Sequence, residues 1–105
     1  MFKRKKENGQ KKEKRDKEFV QVDFPQENEL ISHPDYSVRI KAGKASFVEV
    51  SIDGGEWLPC YNAAGYWWHD WYGYTTGEHS LAACIKDENG CIISSSNTRK
   101  CVCKF

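Results

Sequence analysis

Val48-Glu49-Val50-Ser51-Ile52-Asp53-Gly54-Gly55-Glu56-Trp57 is the stretch that decides the fold. Val48, Val50 and Ile52 alternate with Glu49 and Ser51, the period-two pattern of a strand with one buried face. Asp53-Gly54 then supplies the positive φ angles that a tight hairpin turn requires. The chain returns at Glu56-Trp57-Leu58. Pro59 cannot donate to a ladder, so the returning strand is expected at a sheet edge or at a bulge.

The same pattern extends outward in both directions. Upstream, residues 37–42 place Val38, Ile40 and Ala42 on one face and Arg39 and Lys41 on the other. Gly43-Lys44 turns the chain. Residues 19–24 alternate with Val20, Val22 and Phe24 on one face, and Pro25 ends the run. Residues 26–35 read as a loop with Leu30 and Ile31 tucked in. Downstream, residues 62–65 read as a loop and 66–72 as an aromatic strand. Residues 79–86 form a strand with Leu81, Ala83 and Ile85 inward. Asp87-Glu88-Asn89-Gly90 is a second hairpin turn, with Asn-Gly placed as a type I′ turn uses it. Residues 91–94 pair back, 95–99 form a polar kink, and 100–105 make the last strand. There Cys101, Cys103 and Phe105 take the core face. No helix is indicated. Turn signals every 8–12 residues predict an all-β, immunoglobulin-like antiparallel sandwich of about seven strands over residues 18–105.

Residues 1–17 differ in kind. They hold Lys, Glu, Asn, Gln, Gly and Arg with almost no apolar content, and too little surface to offset the entropy of ordering. A disordered charged tail is expected there. Residues 1–18 carry nine Lys/Arg and four Asp/Glu, about +5, whereas the remainder carries seven and eleven, about −4. The formal net charge of +1 therefore conceals an asymmetry. Interleaved anions and the absence of stacking aromatics disfavour nucleic acid or an anionic surface as the tail's partner. No apolar region follows the first cations, and no run of about 18 apolar residues exists, so neither a signal peptide nor a membrane span is expected. The expected compartment is cytoplasmic.

The five cysteines, Cys60, Cys84, Cys91, Cys101 and Cys103, are odd in number and lack a C-x-x-C. Free thiols acting as small apolar residues are expected, with neither a disulfide framework nor a metal site.

Residues 48–57, the Trp-rich strand, Gly77-Glu78-His79-Ser80-Leu81-Ala82-Ala83 and Asp87-Glu88-Asn89-Gly90 together resemble early-set immunoglobulin-like domains of bacterial proteins. The order is similar to that of the C-terminal dimerisation domain of sulfite-oxidase-type molybdenum enzymes. The resemblance covers about residues 36–105 and implies a sandwich fold. The chain has no molybdopterin domain, so the enzymatic role does not carry over.

Residues 66–74 hold three Trp and three Tyr. On a regular strand Trp67, His69 and Trp71 share one face, and Tyr66, Trp68, Asp70 and Tyr72 the other. Asp70 prefers water, which puts Trp67 and Trp71 in the core. Tyr66, Trp68, Asp70 and Tyr72 then form the candidate binding surface, an aromatic platform able to bury against a protein or stack on a sugar ring. His69 and Asp70 are adjacent, point to opposite faces, and cannot form a catalytic pair. His33 and His79 are expected to cap loops or lie on the surface. No nucleophile–base constellation, phosphate loop or paired-carboxylate motif is present, and no cofactor is implied. The sequence reads as a non-catalytic interaction module for a protein partner or a second copy, with carbohydrate recognition as the alternative.

Overall fold

The computed structural model describes residues 19–105. The charged tail expected over residues 1–17 lies outside them. Ten strands follow in order: β1 (Val20–Phe24), β2 (Glu29–Ile31), β3 (Asp35–Ala42), β4 (Phe47–Ile52), β5 (Trp57–Pro59), β6 (Tyr61–Ala63), β7 (Tyr66–Tyr72), β8 (Gly77–Lys86), β9 (Ile92–Ser95) and β10 (Arg99–Cys103). They form two sheets. One runs β1-β3-β7-β6; the other runs β2-β10-β8-β4-β5, with β9 also on β8. The all-β sandwich expected from the sequence is the observed fold. The strand count exceeds seven because β2, β5 and β6 have only three residues each.

The core is built from inward positions that alternation marked. Val20, Val22, Val38, Ile40, Val48, Val50, Trp71, Leu81, Ala83, Ile85, Cys101 and Cys103 are buried between the sheets. Each such side chain removed from water contributes roughly 25 cal/mol per Å² of apolar surface.

The decisive hairpin forms as its residues require. Asp53 and Gly54 have φ of 55° and 72°. The Gly55 amide donates to the Ile52 carbonyl at 3.0 Å, and the Ser51 hydroxyl donates to the Gly55 carbonyl at 2.8 Å. β5, carrying Pro59, is an edge strand of its sheet.

Several expectations are corrected. The 26–35 loop contains β2, which pairs in parallel with β10. β1 ends at Phe24, before the cis Phe24–Pro25 peptide bond; it joins one sheet and β2 the other. Ile31 is buried, but Leu30 is exposed, because β2 lies at an edge and its side chains alternate. Phe24 leaves the core face because a register shift between Val22 and Phe24 sets it opposite Arg39. The 62–65 loop instead holds most of β6 and a tight turn, in which Ala64 and Gly65 take φ of 52° and 83°. The Asp87–Gly90 turn is not type I′, since Gly90 is positive in φ and Asn89 is not. The Asp87 carboxylate accepts from the Asn89 and Cys91 amides at 2.9 Å each, which holds Asn89 in an ordinary turn conformation. Phe105 lies past the end of β10 and is exposed, stacked on Tyr74 at 5.6 Å.

Ser96 explains the polar kink. Its amide donates to the Ala83 carbonyl, and its hydroxyl accepts from the Ala83 amide, both at 2.8 Å. The kink thus keeps the ladder satisfied while β9 and β10 succeed one another along β8.

Candidate binding surface

β7 is the third strand of the four-stranded sheet, held between β3 and β6. Its alternation sends Trp71 into the core and sets Trp67 half-buried against it. Tyr66, Trp68, Asp70 and Tyr72 lie on the outer face. Cross-strand register adds residues that no local pattern selects. Phe24 sits opposite Arg39, Arg39 opposite Trp68, and Trp68 opposite Tyr61. One row therefore crosses all four strands.

Arg39 is the centre of that row. Its guanidinium lies 4.6 Å from the Phe24 ring centroid and 4.2 Å from that of Tyr66. Its Nε donates to Asp23 at 2.7 Å, and a second nitrogen completes the ion pair. A planar cation between two rings, anchored by a carboxylate, fixes both rings. Tyr66 meets Trp68 edge-on at 6.1 Å, and the Trp68 indole N–H donates to the Ala63 carbonyl at 2.9 Å. The Tyr61 hydroxyl donates to Asp70 at 3.1 Å, which holds its proton and raises the phenol pKa.

The predicted site residues are not equivalent. Tyr66 and Trp68 are half-buried, whereas Asp70 and Tyr72 are exposed. Tyr72 shows 71% of its surface. It lies opposite Asp35, and Asp70 lies opposite Ser37. These four residues and His33 line an open depression at one end of the sheet. Phe24, Arg39, Tyr61, Asp35 and Ser37 were not singled out from the sequence. The one signal for them was the outward position of Arg39 on its strand.

His79 does not lie on the surface. It is buried on the inner face of β8, with both ring nitrogens bonded. Trp71 meets it edge-on at 5.4 Å. His33 is exposed, and its carbonyl accepts from the Tyr74 hydroxyl. His69 faces inward opposite Val38, away from Asp70.

The thiols of Cys84, Cys101 and Cys103 are fully buried. Burial pushes the Cys101 and Cys60 thiols up to about 12. Neutral buried thiols of this kind are poor nucleophiles. Among the described residues, no group of three or more His, Cys, Asp or Glu side chains is arranged to hold a metal ion. No helix among them is long and apolar enough to cross a membrane.

No protein-family model and no curated protein matches the chain. Among solved structures, the fibronectin(III)-like modules of Clostridium thermocellum CbhA are similar, with a TM-score of 0.66 and 20% identity, over 82% of this chain and 96% of theirs. An engineered protein is similar with a TM-score of 0.64 and 17% identity, over 83% of this chain. This chain spans 20% of that protein's length. At these identities the likeness is one of fold alone, an immunoglobulin-like β-sandwich. The molybdenum-enzyme resemblance finds no family match beyond that shared architecture.

Proposed function

We propose that the chain is a non-catalytic interaction module whose binding surface is the outer face of the β1-β3-β7-β6 sheet, and that its ligand is a protein. The observation that carries this reading is the row Phe24–Arg39–Trp68–Tyr61. It is aromatic, spans the sheet, and is fixed by hydrogen bonds and ring contacts before any ligand arrives. Interface hot spots are enriched in Trp, Tyr and Arg, and fixed side chains lose less entropy on binding. Trp68, Tyr66, Asp70 and Tyr72 are the contact residues, joined by Arg39 and Tyr61.

Carbohydrate recognition is the second reading. It is favoured by the depression where Asp35, Ser37 and Asp70 surround the open ring of Tyr72. A sugar stacked on that ring would find carboxylate and hydroxyl acceptors and donors at its edge.

Capture of partners from native cells, with wild type and with Trp68→Ala and Tyr72→Ala, tests the protein reading. A partner lost with either variant supports it. Retention by both, together with retardation of the wild type on polysaccharide gels, replaces it with the carbohydrate reading.

A further inference from the structure

His79 ties together two turns from its place on β8. Its Nδ1 lies 2.6 Å from an Asp53 carboxylate oxygen in the β4–β5 turn, and its Nε2 lies 2.7 Å from the Thr75 carbonyl in the β7–β8 loop. The ring is buried, with Trp71 edge-on at 5.4 Å and Cys101 opposite on β10. Both partners are acceptors, so each nitrogen must carry a hydrogen, and a neutral imidazole has only one. Loss of the ring proton therefore breaks one of the two bonds. Charge decides which. A hydrogen bond to an ionised carboxylate is roughly twice as strong as one to a neutral carbonyl. Asp53 is also held by the Ser80 amide at 2.9 Å, whereas Thr75 is exposed and its carbonyl can turn to water. The loop has hinges at both ends. Gly73 and Gly77, at φ of 74° and 128°, bracket Tyr74, Thr75 and Thr76 in conformations that glycine adopts freely.

We propose that His79 is a proton-operated latch on the β7–β8 loop: on losing a proton the ring keeps Nδ1–H on Asp53, lets go of Thr75, and loosens the segment that sets Tyr74 and Tyr72 at one end of the outer sheet face. The proton leaves from Nε2 and goes to solvent. The loop carries the change outward. Tyr74 precedes Thr75, its hydroxyl donates to the His33 carbonyl, and its ring stacks on Phe105 at 5.6 Å. His33 and Tyr72 line the same depression. The charged ring therefore orders that end of the sheet, and the neutral ring frees it. The link to ligand binding rests on the reading of the outer face as a binding surface; the latch itself does not. The other groups around the ring do not titrate in its place. Tyr74 and Cys101 have raised pKa values and stay neutral. Glu78 and Lys100 stand with Asp53 along a shallow cleft beside the ring. Asp53 and the Thr75 carbonyl outweigh burial and hold the His79 pKa above 6.5, so release comes as pH rises through that folded value.

The test uses the full-length chain with no partner present. Ring-nitrogen and backbone-amide shifts are followed by NMR between about pH 5 and about pH 9, the range in which imidazoles titrate. The His79 ring should end at high pH as the Nδ1–H tautomer. The amides of Tyr74, Thr75 and Thr76 should shift with the midpoint of that ring, and more than those of Gly54 and Gly55. Asp53→Asn removes the charge that selects the tautomer. In that variant the neutral ring should gain Nε2–H, keep Thr75, and lose most of the loop response while still titrating. His33→Gln should leave the loop response in place, because His33 meets Tyr74 through its backbone carbonyl. An Nε2–H tautomer at high pH in the wild type overturns the proposal. So do loop amides that ignore the His79 midpoint, a loop response abolished by His33→Gln, or one left at full size by Asp53→Asn. Partner capture that depends on Trp68 while the loop stays flat removes the latch and leaves the binding surface standing. A titrating loop without any partner leaves the latch standing and removes only its link to binding.

Discussion

Nδ1 of His79 lies 2.6 Å from the Asp53 carboxylate, joining two residues 26 positions apart. The other carboxylate oxygen accepts from the Ser80 amide at 2.9 Å, and the Asp53 amide donates to the Ser80 carbonyl at 2.7 Å. The residue that opens the decisive hairpin turn is thus also clamped to β8. Nε2 of His79 faces the Thr75 carbonyl at 2.7 Å. Two acceptors, one at each nitrogen, are both satisfied only by the imidazolium. Burial pushes the ring toward neutrality, but the Asp53 hydrogen bond, the Thr75 carbonyl and the Asp53 charge together outweigh it and raise the pKa above 6.5.

The pH prediction follows from that direction. A group whose folded pKa is raised stabilises the fold fully below its unfolded pKa and loses that contribution as pH rises through the folded value. The thermal midpoint should therefore fall as pH rises upward from 6.5 through that raised folded value. The other titratable groups packed on the ring are Tyr74 and Cys101, both raised and so neutral in this window. Asp53→Asn keeps the positive φ and an acceptor oxygen but removes the charge. It should lower the midpoint and flatten its pH dependence, costing about 2 kcal/mol for a hydrogen bond to a charged partner. An unchanged pH profile in this variant contradicts the assignment.

The tryptophans of β7 should separate by burial. Trp71 is 6% exposed and packs on Tyr74 and His79. Trp71→Ala should cost about 3–5 kcal/mol, comparable to the whole stability of a small domain, and leave the chain unfolded. Trp67→Ala should be intermediate, since that ring is half-buried against the core. Trp68→Ala loses one hydrogen bond and an edge contact, so about 1–2 kcal/mol is expected with the fold retained. Denaturant midpoints of the three variants check the order.

Ala64 occupies a left-handed turn position at φ 52° between β6 and β7. An L-residue there costs roughly 1–2 kcal/mol, whereas introducing glycine loosens the unfolded chain by about 0.4–1 kcal/mol. The first effect is larger. Ala64→Gly should therefore stabilise the domain by up to about 1 kcal/mol and tighten the hairpin that carries Trp68. A lowered midpoint would show that the turn is not strained.

Thiol reactivity should follow exposure. Cys91 is exposed, Cys60 is half-buried, and Cys84, Cys101 and Cys103 are buried. A thiol reagent should modify Cys91 first and reach the three buried thiols only on unfolding. Reducing agent should leave the thermal midpoint unchanged, because a structural disulfide would contribute about 2–4 kcal/mol. A large drop on reduction would reveal a bridge.

The sequence by itself determined the sandwich, the inward set on β3, β4 and β8, the Asp53-Gly54 turn and the core placement of Cys101 and Cys103. These are local consequences: side chains alternate with period two along a strand, and a φ value depends on one residue. Only the tertiary structure decided how β1 and β2 divide between sheets, because parallel pairing with β10 depends on chain segments about seventy positions apart. The bulge that turns Phe24 outward, the opposition of Arg39 to Trp68, and the placement of Asp35 beside Tyr72 are matters of register between strands. His79 shows the same limit. The sequence reading put it in a loop cap or on the surface, because a histidine is buried only where acceptors await both nitrogens, and those came from Asp53 and Thr75 across the fold. Periodicity sets which way a side chain points; which group it meets there is fixed when strands choose their partners.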